Sequence, residues 1–140
     1  MQDQCNMVVS IDHIVITTNN IKNIIFFYTK ILEMKLKKEY VSSDKSIRYS
    51  LHFGENKINI HEKNNAFLPH AHFNKPGSLD ICFISNKKIN YWMNKLKSFK
   101  IDIIEGPIER IGAIKPLISI YFRDPDLNLI EISNYKDYND

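Results

Sequence analysis

The stretch Ile11-Asp12-His13-Ile14-Val15-Ile16 runs into Ile21, Ile24, Ile25 and Tyr28, and Leu79-Asp80-Ile81-Cys82-Phe83-Ile84 runs into Ile89, Trp92, Met93 and Leu96. In each copy a short β-branched run precedes apolar residues spaced i, i+3, i+4, i+7, the stripe of an amphipathic helix. His13 matches Asp80 at 80 − 13 = 67 and Ile21 matches Ile89 at 89 − 21 = 68, so the strand-to-helix unit recurs almost in register. A long period present only twice predicts a pseudo-twofold domain whose halves share one core, not a solenoid. A site between such halves would draw ligands from both.

Outward from these copies, β-branched and aromatic enrichment predicts strands over 9–17, 36–42, 47–54, 57–62, 79–85, 101–105, 117–123 and 128–134, with helices over 21–32 and 87–98. The order is β-α-β-β-β, twice. It divides a single domain, 1–140, into module 1 (about 8–63), a linker (64–77) and module 2 (about 78–135). Asn20 is placed to cap the first helix, and Ser85 or Asn86 the second. Gly54-Glu55-Asn56 and Asp124-Pro125-Asp126 read as hairpin turns. The linker holds Pro69, Pro76, Gly77, His70 and His72, and residues 105–116, with Gly106, Pro107, Gly112 and Pro116, read as a second irregular loop.

At 140 residues the chain is large enough for one core and too short for two. The fractions, 44% hydrophobic and 25% charged, are ordinary for a globular domain, and no apolar run approaches the roughly 20 residues of a membrane span. Residues 1–5 lack a basic and then apolar leader, so a cytoplasmic location is expected. Cys5 and Cys82 form neither a disulfide framework nor a zinc motif, and Cys82 reads as a small core residue. The net charge of +3 comes from scattered lysines alternating with acids, which argues against nucleic-acid binding.

Three polar residues interrupt apolar strands at related places: His13, Asp80 and Glu131. A carboxylate buried mid-strand costs several kcal/mol unless paired or bound to a metal. A divalent cation gives the three a common explanation. Arg110 and Lys115 on the second loop are candidates to hold a substrate carboxylate or phosphate, Arg110 the better bidentate anchor. Arg123 is expected to pair with a neighbouring Asp, and Tyr121, Phe122 and Phe26-Phe27-Tyr28 read as core.

From IDHIVITTNNIKNIIFFYTKILEM through SLDICFI to SIYFRDPDLNLIEISNY the chain resembles the vicinal oxygen chelate superfamily of glyoxalases, bleomycin-resistance proteins and extradiol dioxygenases. FGENKINIHEK and PGSLDICFI are similar to the glyoxalase domain-containing protein 5 group and to bacterial dioxygenase-related members. The resemblance implies an α+β fold in which two repeated βαβββ modules form a curved mixed-sheet cup. It puts His13 on the first ligand position, Asp80 on its equivalent in module 2 and Glu131 on the last-strand position. Asn59 falls where module 1 often supplies Glu, and His61, two residues on and on the same face, is the alternative ligand. Asp80 stands where many relatives carry His, so the two-histidine, one-carboxylate set of iron dioxygenases is absent unless His61 completes it. Leu127 stands where relatives often have Gly.

One nitrogen and two carboxylates favour Mn²⁺, Mg²⁺, Co²⁺ or Ni²⁺, with Zn²⁺ possible and Fe less favoured. The expected function is a metal-dependent enzyme in which vicinal oxygens of a small molecule chelate the ion, with Glu131 and Asp80 as catalytic groups. Lyase, isomerase and extradiol-type dioxygenase chemistry all fit. The alternative is a non-catalytic protein that sequesters small molecules. Superfamily members of this length commonly pair modules between chains, so a homodimer is expected, bringing the Arg110 loop or the His70 and His72 linker of one chain near the cup of the other.

Overall fold

The computed structural model describes residues 7–137; Cys5 lies outside them. Two four-stranded sheets carry the repeat. The first has β1 (His13–Thr18), β2 (Lys35–Val41), β3 (Ser46–Phe53) and β4 (Asn56–Glu62) in the order β1-β4-β3-β2. The second has β5 (Asp80–Ile84), β6 (Glu105–Ile111), β7 (Pro116–Arg123) and β8 (Leu129–Tyr135) in the order β5-β8-β7-β6. In both, the first strand pairs parallel with the last and the other pairs are antiparallel. Helix α1 (Ile21–Phe26), continued by a π-helical turn (Phe27–Ile31), follows β1, and α2 (Ile89–Ser98) follows β5.

One face of each sheet feeds a core common to both halves. Ile16, Leu51, Ile58 and Ile60 of the first sheet and Ile120, Phe122, Ile130 and Ile132 of the second cluster with Ile24, Phe27, Tyr28, Trp92 and Leu96 from the helical layer. Each such side chain contributes roughly 1.5–3 kcal/mol through removal from water. The halves are also tied by a polar knot. The Tyr28 hydroxyl donates to Asp124 Oδ2 at 2.8 Å, Asn128 Nδ2 donates to the same oxygen at 2.7 Å, and the backbone N–H groups of Asp126 and Asn128 donate to Oδ1. The repeat extends to detail: Asn128 Oδ1 accepts from the Leu79 N–H ahead of β5, and Asn56, its counterpart, donates to the Ile11 carbonyl ahead of β1.

Asn20 caps α1 as expected, accepting from the Asn23 N–H at 3.0 Å. The second helix departs from expectation. It begins at Ile89 behind Lys88; its first N–H donates to Asn134 Oδ1 across the sheet, while Ser85 accepts from the Lys87 N–H and from Trp92 Nε1. The single helix expected over 21–32 divides into an α and a π segment. The strand expected over 101–105 lies instead at Glu105–Ile111, within the stretch read as a loop. Pro107 is tolerated because β6 is the outer strand, and Gly106 sits at a positive φ of 105° where the register with β7 shifts. A Cβ at Gly106 would collide with the Ser119 carbonyl oxygen.

Candidate functional site

Strand alternation sends the faces that do not feed the core to the concave side of each sheet, and cross-strand pairing shows which residues share them. On the first sheet His13 lies opposite Lys57, Val15 opposite Asn59 and Thr17 opposite His61; Ser50 flanks Asn59 on the other side, and Arg48 lies opposite Glu39. On the second sheet Cys82 and Tyr121 flank Glu131, Asp80 lies opposite Leu129, and Ser119 lies opposite Ser133. Asn59 and His61 thus accompany His13 on one face, and Asp80 accompanies Glu131 on the other.

The nitrogen-bearing face has two histidine nitrogens with bonding capacity to spare. The His13 Nδ1–H donates to the Asp12 carboxylate at 2.7 Å, which leaves Nε2 as the nitrogen with a free lone pair in the neutral ring. That bond holds the Asp12 carboxyl below its ordinary range. His61 Nδ1 is buried without a hydrogen-bond partner among the described residues. Burial, with the nearby charges of His70 and Arg48, lowers the His61 pKa and keeps the ring neutral. Phe67, from the linker, stands edge-on to His61 with centroids 5.4 Å apart and takes the Arg48 guanidinium 4.1 Å above its ring. His61 forms part of the wall of two cavities. One of about 310 Å³ contains Arg48, Lys57 and Asn59; another of about 580 Å³ contains Val15, Pro69, His70 and Phe73.

The oxygen half is cross-linked by hydrogen bonds. Ser133 Oγ donates to Glu131 Oε2 at 3.2 Å, Ser119 Oγ lies 2.6 Å from Ser133 Oγ, and Cys82 Sγ lies 3.2 Å from it. Arg110, expected to anchor substrate, donates through Nε to the Tyr121 hydroxyl at 3.0 Å and through Nη2 to Glu105 at 2.9 Å. A cavity of about 390 Å³ over this face includes Glu131, Tyr121, Cys82 and Arg110.

Three sequence readings change here. Asp80 is exposed and Glu131 only half-buried, so the cost of burying a charge does not explain them. Cys82 and Tyr121, read as core, line the concave face, and Phe26 is half exposed; the core reading holds for Phe27, Tyr28 and Phe122. Arg123 donates to the Leu127 carbonyl and forms no bond with a neighbouring Asp. The serines beside Glu131 were missed, although Ser119 and Ser133 interrupt apolar strands as plainly as Asp80 does. Lys115 lies 3.9 Å from Asp137 and over the Tyr135 ring.

The cavity over each concave face is lined by that sheet's own residues and its loops. Among the described residues of one chain, no three His, Cys, Asp or Glu side chains gather closely enough to hold a metal ion. No described helix is long and apolar enough to cross a membrane.

Residues 10–132 match the family model of the Glyoxalase/Bleomycin resistance protein/Dioxygenase superfamily. The chain is 43% identical over 125 residues to virulence protein STM3117 of Salmonella typhimurium, covering 89% of this chain and 83% of that protein. It is 42% identical over 128 residues to glyoxalase domain-containing protein RDO1 of Mycosarcoma maydis, covering 91% of this chain and 69% of that protein. An integron cassette protein from the mobile metagenome of V. cholerae superposes with a TM-score of 0.85 at 39% identity, covering 92% of this chain and 97% of the other. With two curved four-stranded βαβββ modules and a family match spanning both, this chain belongs to the glyoxalase/bleomycin resistance/dioxygenase superfamily.

Proposed function

We propose that the chain is a metal-dependent small-molecule enzyme of the glyoxalase or dioxygenase type, whose site is completed when the first concave face of one chain meets the second concave face of another. The observation that carries this reading is the division of the donors. His13 with Asn59 or His61 lies on one face, and Asp80 with Glu131 lies on the other. A twofold homodimer pairs such unlike faces twice and builds two identical sites.

The residues present fit a divalent ion in chemistry. His13 offers Nε2 with its other nitrogen fixed by Asp12, His61 has a buried nitrogen with no partner, and Glu131 is oriented by a hydroxyl. Mn²⁺, Mg²⁺, Co²⁺, Ni²⁺ or Zn²⁺ suits such a mixture better than iron. A bound divalent cation supplies charge stabilisation at two adjacent substrate oxygens. Glu131 or Asp80 acts as the proton acceptor beside them. Arg110 donates within its own sheet through Nε, Nη1 and Nη2, and the second hydrogens of Nη1 and Nη2 are left to offer a substrate carboxylate or phosphate.

A second reading, sequestration of a small apolar molecule without chemistry, draws support from the 580 Å³ cavity lined by Ile14, Val15, Pro69 and Phe73. Titrating metal-stripped protein with Mn²⁺, alongside light scattering, separates the two. The enzyme reading expects tight binding that His13→Ala and Glu131→Gln each abolish, in a protein that scatters as a dimer. A protein that takes up no divalent ion would favour sequestration.

A further inference from the structure

Ser119 and Ser133 are fully buried, face each other across β7 and β8, and lie on the same face as Glu131, one cross-strand pair along from Glu131 and Tyr121. Buried hydroxyls in a sheet are costly unless their bonds are complete, and these two find partners in each other and in Glu131. The Ser133 hydroxyl donates to Glu131 Oε2 at 3.2 Å. With that proton on Glu131, Ser119 is the donor in the 2.6 Å contact between the serines. The second lone pair of Ser133 faces the Cys82 thiol at 3.2 Å. Ser119, Ser133 and Glu131 thus form one hydrogen-bonded chain along this face.

Tyr121, two residues from Ser119 on β7, is the cross-strand neighbour of Glu131, and its hydroxyl accepts from Arg110 Nε at 3.0 Å. A guanidinium has no acceptor to offer, so the phenolic proton cannot be directed back at Arg110. Side chains on both neighbouring strands therefore confine the Glu131 carboxylate, and a residue two places along its own strand holds one of its oxygens.

We infer that Ser133, itself locked by Ser119, is a positioning residue that fixes the rotamer of Glu131 and presents its carboxylate to the concave face for ligation. This deepens the metal-site reading above, on which its functional consequence rests. The orientation of Glu131 does not depend on that reading.

Two readouts separate the claims. In metal-free protein at fixed pH, Ser133→Ala should move the Glu131 side-chain ¹³C carboxyl resonance, assigned by its loss in Glu131→Gln, while Ser133→Thr, which keeps the hydroxyl, should restore it. In Mn²⁺ titrations Ser133→Ala should weaken binding about 10–100-fold, the range for partners behind a metal ligand, with Ser133→Thr near wild type. Ser119→Ala should act in the same direction with a smaller effect, and it carries the test if Ser133→Ala does not fold. An unmoved resonance, an unmoved Mn²⁺ affinity, or equal losses in the Ala and Thr variants would each overturn the positioning role. Glu131→Gln binding Mn²⁺ as wild type does would instead sink the metal reading, and with it the purpose assigned to the serines.

Discussion

The two concave faces are built from the same strand order, yet they treat their polar residues in opposite ways. On the first sheet the candidate ligands are mainly nitrogens with capacity left over: His13 Nε2 is free of its Asp12 partner, and His61 Nδ1 is buried with none. On the second sheet they are carboxylates, and Glu131 accepts from Ser133, which meets Ser119, beside a tyrosine braced by arginine. The repeated frame thus carries two unlike faces, one with ring nitrogens short of partners and one already ordered. Such faces gain more from each other than from copies of themselves, because carboxylates meeting carboxylates would repel.

The sharpest test of this contrast is ligand removal. Glu131→Gln and His13→Ala should each cost more than about 100-fold in Mn²⁺ affinity, beyond the range seen when only an outer partner is lost. Between Asn59→Ala and His61→Ala, calorimetric titration should show a comparable loss in one and little change in the other. Equal, small losses at all four positions would erase the distinction between the faces.

A second prediction concerns what holds the halves in place. Tyr28→Phe removes a donor from the buried Asp124 across the module boundary and should destabilise the protein by about 1–3 kcal/mol in urea unfolding.

The pH dependence should also differ between halves. The His61 pKa lies below its ordinary value in the folded protein, chiefly through burial. The unfolded chain therefore binds the proton first on acidification, and stability falls as pH drops from about 6.5 toward the lowered folded value. Thermal melts of metal-free protein should show this slope and lose it in His61→Gln. Asp124, at the boundary, shifts the other way: burial raises its pKa, so stability rises as pH falls through the window just above the ordinary carboxylate value. A flat profile around pH 6 in the wild type would mean that His61 is not confined as described.

The smallest effect belongs to the turns. The first module turns through Gly54, while the second places Leu127 at a positive φ of 69°, where a side chain is strained. Leu127→Gly should raise stability by up to about 1 kcal/mol in the same melts, net of the entropy that glycine loses on folding. A loss of stability would show that the Leu127 side chain supports the turn.

The repeat and the order of elements could be read from the chain because they depend on local spacing: Ile21 to Tyr28 and Ile89 to Leu96. What escaped depended on tertiary context. Residues 105–111 look like a loop because Gly106 and Pro107 are strand breakers, and only their place on an outer strand makes them acceptable there. Cys82 and Tyr121 look like core because they are apolar or aromatic in apolar strands; which face they occupy follows from register, and both belong to the concave one. The distribution of His13 and Glu131 over separate faces was hidden for the same reason. Repeat symmetry equates positions without saying whether they meet inside one chain.

The central claim is that one chain supplies half of each site, and mixing two broken chains tests it most directly. His13→Ala and Glu131→Gln should each lack tight Mn²⁺ sites as pure proteins. After joint unfolding and refolding, random pairing makes about half the dimers mixed, each with one intact and one doubly defective site. About a quarter of the wild-type number of tight Mn²⁺ sites should then return. No recovery, from variants that refold and pair as the wild type does, would mean that His13 and Glu131 of the same chain serve one site, or none, and would contradict the account.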